Sequence, residues 1–401
     1  MWEKGKGSAM TLMMPVGEFG EIIHGLVMGY GGYFDAHTHL DRAGTLESSM
    51  LKHYGVNPLD VARLPLRVKQ HIVGEVHQGP AYTRPDLRNR IKSKLSLMTK
   101  TGTRRVISFI DVTPDIGWEA IGTAAEVREK FKPKNVQNFD FEIAAHPIFG
   151  FKDDPERDHK VTRWELFRVA CELSSVDIIG ALPERDDRPD SIGSDEHFRR
   201  VLLLGRELQK PVHIHVGQAN DPRQKDIFDL IDAVRWIGSP VIPNALDDHG
   251  QPTVWAVHNI SSSAFPEHEF KKVLEGLKKY NIGVIVCPRA ALSMRQKRAV
   301  YAPTHNSIAR VAELLLAEIP VRLGNDNIGD MFVPTGSGCM LHEVLFLADC
   351  IRMYDPHVLA KLAAGIALNQ NDLETIRRYL AEDVKVNKGD DPYFEFCLDL
   401  D

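Results

Sequence analysis

Short apolar segments rich in β-branched residues alternate with longer segments of helical periodicity along most of this chain. Eight of the apolar segments are predicted to be strands, because such runs, bounded by Gly, Pro or polar residues, are typical of buried strands. They are Tyr33–Ala36, Arg105–Val112, Phe139–Ala145, Val176–Leu182, Val212–Val216, Thr253–His258, Ile282–Cys287 and Val321–Asp326.

The intervening segments place apolar residues three or four positions apart, as amphipathic helices do. Leu87, Ile91 and Leu95, for example, repeat at four-residue spacing. Helices are predicted at Pro85–Leu95, Trp118–Phe131, Arg163–Ser174, Glu196–Gln209, Asp226–Trp236, Glu267–Tyr280 and Asn306–Glu318. Strands alternating with helices indicate a parallel sheet, and eight such units predict a (β/α)8 TIM barrel. An open doubly wound sheet is the structural alternative, but no Gly-x-Gly-x-x-Gly follows the first strand.

The pattern divides the chain into three parts. Residues 1–30 are mixed and Gly-rich and are expected to form an N-terminal arm or a short strand pair. Residues 31–370 are expected to form the barrel, and residues 371–401 a helical and then acidic tail. A TIM barrel uses roughly 250 residues or more as one unit, so the length does not require several domains.

Composition narrows the function class. The net charge of -6 argues against a general nucleic-acid-binding protein, which would normally be basic. The five cysteines have no framework spacing, which fits a reducing cytoplasmic location. No apolar run approaches the roughly 20 residues of a membrane span, and the N-terminus lacks the pattern of a signal peptide. A cytoplasmic homo-oligomer without nucleic-acid or membrane partners is expected.

Several predicted strands end in imidazole or carboxylate side chains. The first ends in His37 and His39, the fifth in His213 and His215, the sixth in His258 and the eighth in Asp326. Residues i and i+2 of a strand share a face, so each His-x-His can aim two imidazoles at one point. In a barrel these strand ends converge on one mouth. A bound divalent cation would satisfy several such buried polar groups together.

The expected site holds a single metal ion. The fourth strand contains no lysine, so no carbamylated lysine is present there to bridge two ions. Such an ion activates a water against an electrophilic carbon. His258 is a candidate general base or proton shuttle, and Asp326 a candidate ligand that also accepts a proton. The chain has no His-Glu-x-x-His helix, Gly-x-Ser-x-Gly elbow, Walker loop or Pro-Cys-x-x-Cys deaminase motif.

Three motifs resemble the amidohydrolase superfamily of metal-dependent (β/α)8 hydrolases, in the branch of cytosine deaminase and N-isopropylammelide isopropylaminohydrolase. They are Phe34–Arg42, His213–His215 and Asn325–Gly338. The resemblance implies metal ligation by His37, His39, His213 and Asp326. It places His215 beside the metal as a substrate or proton-transfer residue and matches His258 to the histidine of strand six. His213 and His215 face the same way, so an offset of two between them stays open.

The chain departs from this branch at the substrate end of the site. The acid/base Glu of cytosine deaminase is replaced by Val216 if His213 is the ligand, or by Gln218 if His215 is. A ring-binding Gln is replaced by Ile148, and a second Asp by Asn327. The small β-sandwich of the relatives has no counterpart here and is expected to be reduced or absent.

These observations predict a mononuclear metal-dependent hydrolase that cleaves a C–N bond, as a deaminase or aminohydrolase of a small nitrogen heterocycle other than cytosine. Zinc is the expected ion, with iron or manganese as alternatives. His258, Asp326 and His215 are the candidate catalytic residues. Substrate recognition is assigned to Arg42, Glu184, Asn327 and Asp330, each of which could instead be a rim salt-bridge partner. A ring-opening hydrolase of cyclic amides or lactones and a non-catalytic ligand-binding barrel are the alternative functions.

Overall fold

A sheet of eight parallel strands forms the centre of the protein. The computed structural model describes residues 16–46, 57–133, 136, 138–155, 160–242, 251–296, 306–391 and 393–400. The strands β1 to β8 are Tyr33–Thr38, Thr103–Asp111, Asp140–His146, Ile178–Ala181, Val212–Val216, Val254–His258, Ile282–Val286 and Val321–Leu323.

The strands follow one another in sequence order around the sheet, and each neighbouring pair is parallel. A parallel bridge between Thr38 and Asp326 joins the end of β1 to the residues that follow β8. This bridge brings the last strand back to the first, so the predicted (β/α)8 barrel is confirmed. Within the described residues the barrel is accompanied by no second sheet.

Helices surround the barrel and extend to both ends of the described chain. The α-helices α1 to α14 are Gly17–Gly29, Pro58–Ala62, Leu66–His77, Arg84–Lys100, Glu119–Lys130, Arg163–Glu172, Ser194–Leu208, Asp226–Ile237, Glu267–Lys279, Pro288–Ser293, Val311–Leu316, Met340–Ile351, Pro356–Ala364 and Gln370–Asp390. Short 3-10 helices occur at Pro80–Tyr82, Pro183–Arg185 and Ser261–Ala264. None of the described helices is both long enough and apolar enough to cross a membrane.

The chain before β1 differs from the expected arm or strand pair. Residues Gly17–Gly29 form helix α1, which packs against α13. Ile23 and Val27 are four residues apart and fully buried, so the apolar spacing is helical. The part of the predicted arm before residue 16 lies outside the described residues.

Side chains on each strand alternate between the helix layer and the barrel interior. On β5, Val212, Ile214 and Val216 pack in the core between the sheet and the helices. The alternation of a strand therefore turns His213 and His215 into the barrel. On β6, Trp255 and Val257 belong to the second, interior core in the same way.

Candidate metal centre and adjoining pocket

Five predicted site residues meet at the carboxyl ends of the strands. The Nε2 atom of His37 lies 3.2 Å from Nε2 of His215 and 3.5 Å from Oδ1 of Asp326. The Nε2 atom of His39 lies 3.3 Å from the same Oδ1. The Nε2 atom of His258 lies 3.8 Å from Oδ2 of Asp326. The sequence rule that strand-end residues converge at one barrel mouth therefore holds for these five.

The junction of the first and last strands fixes the position of Asp326. The backbone N–H of Asp326 donates to the carbonyl of His37 at 2.8 Å, and the backbone N–H of His39 donates to the carbonyl of Asp326 at 3.1 Å. A Cβ at Gly324 would lie 2.8 Å from the backbone nitrogen of His37, so only glycine allows this approach. Asp326 and His258 have φ values of 62° and 80°, in the left-handed region. Backbone strain of this kind is typical of functional sites.

The electrostatic state of the group suits metal ligation. Burial lowers the pKa of His39 and His215 well below the ordinary value and that of His258 to about 4, so these imidazoles are neutral at pH 7. Burial alone would raise the pKa of Asp326, but hydrogen bonds from His37 and His39 bring it well below the ordinary value. The carboxylate is therefore ionised.

Two overlapping sets of three residues have ligand atoms close enough to share one ion. They are His37 with His39 and Asp326, and His37 with His215 and His258, and the atoms of each set lie within 4.8 Å of one another. Neutral imidazole nitrogens and a carboxylate oxygen are the donors that a divalent transition metal prefers. The residues present thus fit the predicted ion.

His213, which the resemblance assigned as a ligand, is not part of this group. Its ring lies 6.4 Å from the ring of Phe109 and 6.2 Å from that of Trp255, within the barrel. It belongs to neither of the metal-binding sets found among the described residues. Two residues of a strand span about 6.6 Å, so His213 sits one layer below His215, further from the mouth. The structure brings His215 rather than His213 to within 3.2 Å of His37 Nε2, and Gln218 is the residue three positions after His215.

A pocket that is open to solvent lies directly above these five converging residues. Its floor contains the polar residues His39, His146, His215 and Asp326. Amide and cationic groups line its sides, contributed by Arg42, Lys69, Gln70, Gln218 and Asn327. The remaining wall includes Leu66, Ile148, Leu182, Ala290, Met294, Phe332 and Val333. A small ring compound matches this combination of an apolar wall and a few convergent polar groups.

Two of the predicted substrate-binding residues, Arg42 and Asn327, line this pocket. Arg42 forms a buried ion pair with Asp111 at 2.7 Å. The side-chain amide of Asn327 donates to Oδ1 of Asp326 at 2.8 Å, while its own oxygen has no hydrogen-bond partner among the described residues. Each side chain is thus held by a neighbouring carboxylate and has one polar atom, Arg42 Nε or Asn327 Oδ1, without a partner among the described residues. These atoms are available to a ligand.

The other two predicted residues, Glu184 and Asp330, do not line the pocket. Glu184 accepts a hydrogen bond from Gln70 at 3.0 Å and thereby holds a residue that does. Asp330 accepts the backbone N–H groups of Phe332 and Val333 at 2.8 and 3.0 Å. Burial raises the pKa of Asp330 to about 6. Both residues support the pocket from behind.

Asp111 and His146 were missed by the sequence reasoning, although they end β2 and β3. His146 Nδ1 lies 2.8 Å from Oδ1 of Asp111, and its ring lies 5.1 Å from that of His39. Nε2 of His146 has no hydrogen-bond partner among the described residues. Asp111 also contacts His77 Nε2 at 3.1 Å. Both residues stand at the carboxyl ends of strands, so the reasoning that identified the five converging residues would also have found these two.

Lys69 and Gln70 were also missed, and they come from helix α3 rather than from a strand end. Gln70 is held by Glu184 and by Arg185, whose Nη1 donates to the Gln70 oxygen at 3.3 Å. None of the sequence motifs and none of the predicted helices includes either residue. That α3 lies over the barrel mouth is a tertiary feature, so no local signal identified these side chains.

Comparisons with known proteins add the fold relationship. No protein-family model matches the chain. An uncharacterized protein of Haemophilus influenzae is 26% identical over 301 residues, which are 75% of this chain and 96% of that protein. The crystal structure of 5-methylcytosine deaminase from Klebsiella pneumoniae, liganded with 5-fluorocytosine, is 20% identical with a TM-score of 0.65. The match covers 86% of this chain and 81% of that one. The two chains share their barrel fold.

The structure of N-isopropylammelide isopropylaminohydrolase from Burkholderia multivorans is similar as well. It is 16% identical with a TM-score of 0.57, and the match covers 88% of this chain and 75% of that one. Both solved proteins share the barrel fold of this chain, so the fold that the motif resemblance implied is confirmed.

Proposed function

We propose that this protein is a mononuclear metal-dependent hydrolase that cleaves a C–N bond of a small nitrogen heterocycle, as a deaminase or aminohydrolase. The observation that carries the proposal is the meeting of His37, His39, His215, His258 and Asp326 beneath one pocket. Structural likeness to a deaminase and an aminohydrolase supports the same reaction class.

His37, His39, His215 and Asp326 are the proposed ligands, and zinc is the proposed ion because three imidazoles and one carboxylate suit it. In such a site the metal supplies Lewis acidity that lowers the pKa of a water to near 7. His215 is held by its Nδ1, which lies 3.0 Å from the Ala181 carbonyl, so its Nε2 faces the centre. A hydrogen bond from the second ring nitrogen of a ligating histidine fixes the tautomer and the orientation of its ring.

Proton transfer is assigned to His258 and Asp326. Because His258 is neutral, it can accept a proton from the attacking water, and Asp326 Oδ2 at 3.8 Å can share that proton. Gln218 stands where cytosine deaminase places its Glu and cannot relay a proton. The proton that His258 and Asp326 take up returns to the departing nitrogen. His146 Nδ1 is paired with Asp111, so His146 Nε2 can accept a hydrogen bond from the substrate's amino group.

The pocket wall favours a substrate other than cytosine. Ile148 contacts the pocket where the relatives place a ring-binding Gln, so the ring loses a bidentate amide partner there. Asn327 and Gln218 instead offer one acceptor and one donor that have no partner among the described residues. A differently substituted pyrimidine, triazine or related ring fits these groups better.

The proposal is tested by metal analysis together with a screen for ammonia or amine release. Protein purified from zinc-supplemented cells would be tested against amino-substituted pyrimidines, triazines, purines and imidazoles. We expect one metal ion per chain and turnover that disappears after chelation and returns with zinc. Protein that takes up no divalent metal under these conditions would refute the proposed function.

A further inference from the structure

Lys69 occupies an unusual position on helix α3. The buried residues of this helix are Lys69, Gln70, Val73, Val76 and His77, which form one helical face. This face packs over the barrel mouth, and two of its residues near the start of the helix, Lys69 and Gln70, line the pocket. Lys69 is only 6% exposed, although lysine is rarely buried without a partner.

The charge of Lys69 is not neutralised by the described part of the protein. Its Nζ makes one hydrogen bond, at 3.4 Å to the carbonyl of Phe332, and lies 5.8 Å from the centre of the Phe332 ring. Among the described residues no carboxylate forms an ion pair with it. Asp330 attracts Lys69 from further away, but one of its oxygens already accepts two backbone N–H groups.

Arg42, the other cation of the pocket, provides the contrast. Its guanidinium is paired with Asp111 at 2.7 Å, so its charge is balanced within the protein. An ammonium group has three donors, and Lys69 uses one of them within the described part of the chain. Leaving a buried charge unpaired costs several kcal/mol as an order of magnitude, so such a cation is expected to meet an anion when the site is filled.

The other free groups of the pocket agree with an oxygen-rich ligand. Gln218 Nε2 and Arg42 Nε are buried donors without partners among the described residues. We propose that the substrate ring carries an anionic oxygen, as a carboxylate or an ionised ring imide, and that Lys69 binds this oxygen. This inference rests on the proposed function, because it assigns the substrate class of the same site.

The test compares matched product-like probes in a binding assay. Uracil, 5-carboxyuracil, 6-carboxyuracil and barbiturate would be titrated calorimetrically into the full chain. A bound metal ion also attracts anions, so each titration is made with zinc-loaded and with chelator-treated protein. We expect at least one anionic probe to bind about 10-fold to 100-fold more tightly than uracil in both forms, as for a charge-assisted hydrogen bond. Carboxyuracils and barbiturate separate the two sources of the anionic oxygen.

Variants then locate the preference. Lys69→Met keeps the aliphatic stem and should abolish the preference for the anionic probes over uracil. Lys69→Arg should retain part of it, and Lys92→Met, at an exposed position on α4, should leave it intact.

Equal binding of uracil and all anionic probes by the wild-type protein would overturn the inference, whatever the variants do. So would a preference that survives in Lys69→Met. Neither outcome affects metal uptake or ammonia release, so the proposed function stands or fails separately.

Discussion

The choice between the two histidines of β5 gives the sharpest test of the proposed metal centre. His215→Asn keeps a donor for the Ala181 carbonyl, which lies 3.0 Å from His215 Nδ1, and removes Nε2, which faces His37. A four-ligand zinc site contributes about 10–16 kcal/mol in peptides. An equal share for one of four donors is on the order of 3 kcal/mol, so zinc affinity should fall by about 100-fold to 1,000-fold.

The assay is a competition titration of zinc against a chromophoric chelator, with bound metal measured after dialysis. His213→Asn is the matched control, because it makes the same change one layer deeper, near Phe109 and Trp255. Its zinc affinity should stay within about 10-fold of the wild-type value, because 10-fold is the smallest loss typical when a group that supports a metal ligand is removed. Loss of zinc by the His213 variant together with retention by the His215 variant would refute the ligand assignment.

Three further outcomes are expected. His258→Asn should keep bound zinc and lose about 100-fold or more in kcat, since general-base catalysis contributes about that much; unchanged turnover would contradict its role. Gly324→Ala should lower the free energy of unfolding by about 1–3 kcal/mol in denaturant melts, because its Cβ would lie 2.8 Å from the backbone of His37. Gly25→Ala, with nothing within 4 Å of the added Cβ, is its control and should not destabilise the protein. Burial raises the pKa of Glu343 from 4.5 to about 7. The folded state then binds the proton more tightly than the unfolded state, so stability falls as pH rises through this window. As pH rises from about 5 to about 8, the free energy of unfolding of Glu343→Gln, measured in denaturant melts, should increase by roughly 1–3 kcal/mol relative to that of the wild type. A difference between the two proteins that does not change with pH would contradict this.

Much of the candidate site could be predicted because two simple rules act on the same residues. The period of two along a strand puts His37 with His39 on one face, and a parallel barrel brings the ends of β1, β5, β6 and β8 together. Asp111 and His146 obey the same rules, so they could have been predicted as well. The oligomeric state, the cytoplasmic location and the division at residues 30 and 370 stay predictions.

The choice of His215 over His213 could not be made from the sequence. Both side chains point inward, and only the depth of β5 relative to β1 and β8 decides which one reaches His37. That relative depth is a property of the closed sheet, set by the register of each strand on its neighbours.

The sequence by itself determined the order of strands and helices, the barrel, and which residue types stand at its mouth, because apolar periodicity and strand alternation are local properties. The tertiary structure decided which layer each inward residue occupies and which helix covers the mouth. Lys69 shows the physical reason, since its burial depends on α3 lying over residues distant in the chain, such as Phe332. No local pattern around a lysine on an amphipathic helix determines what that helix packs against.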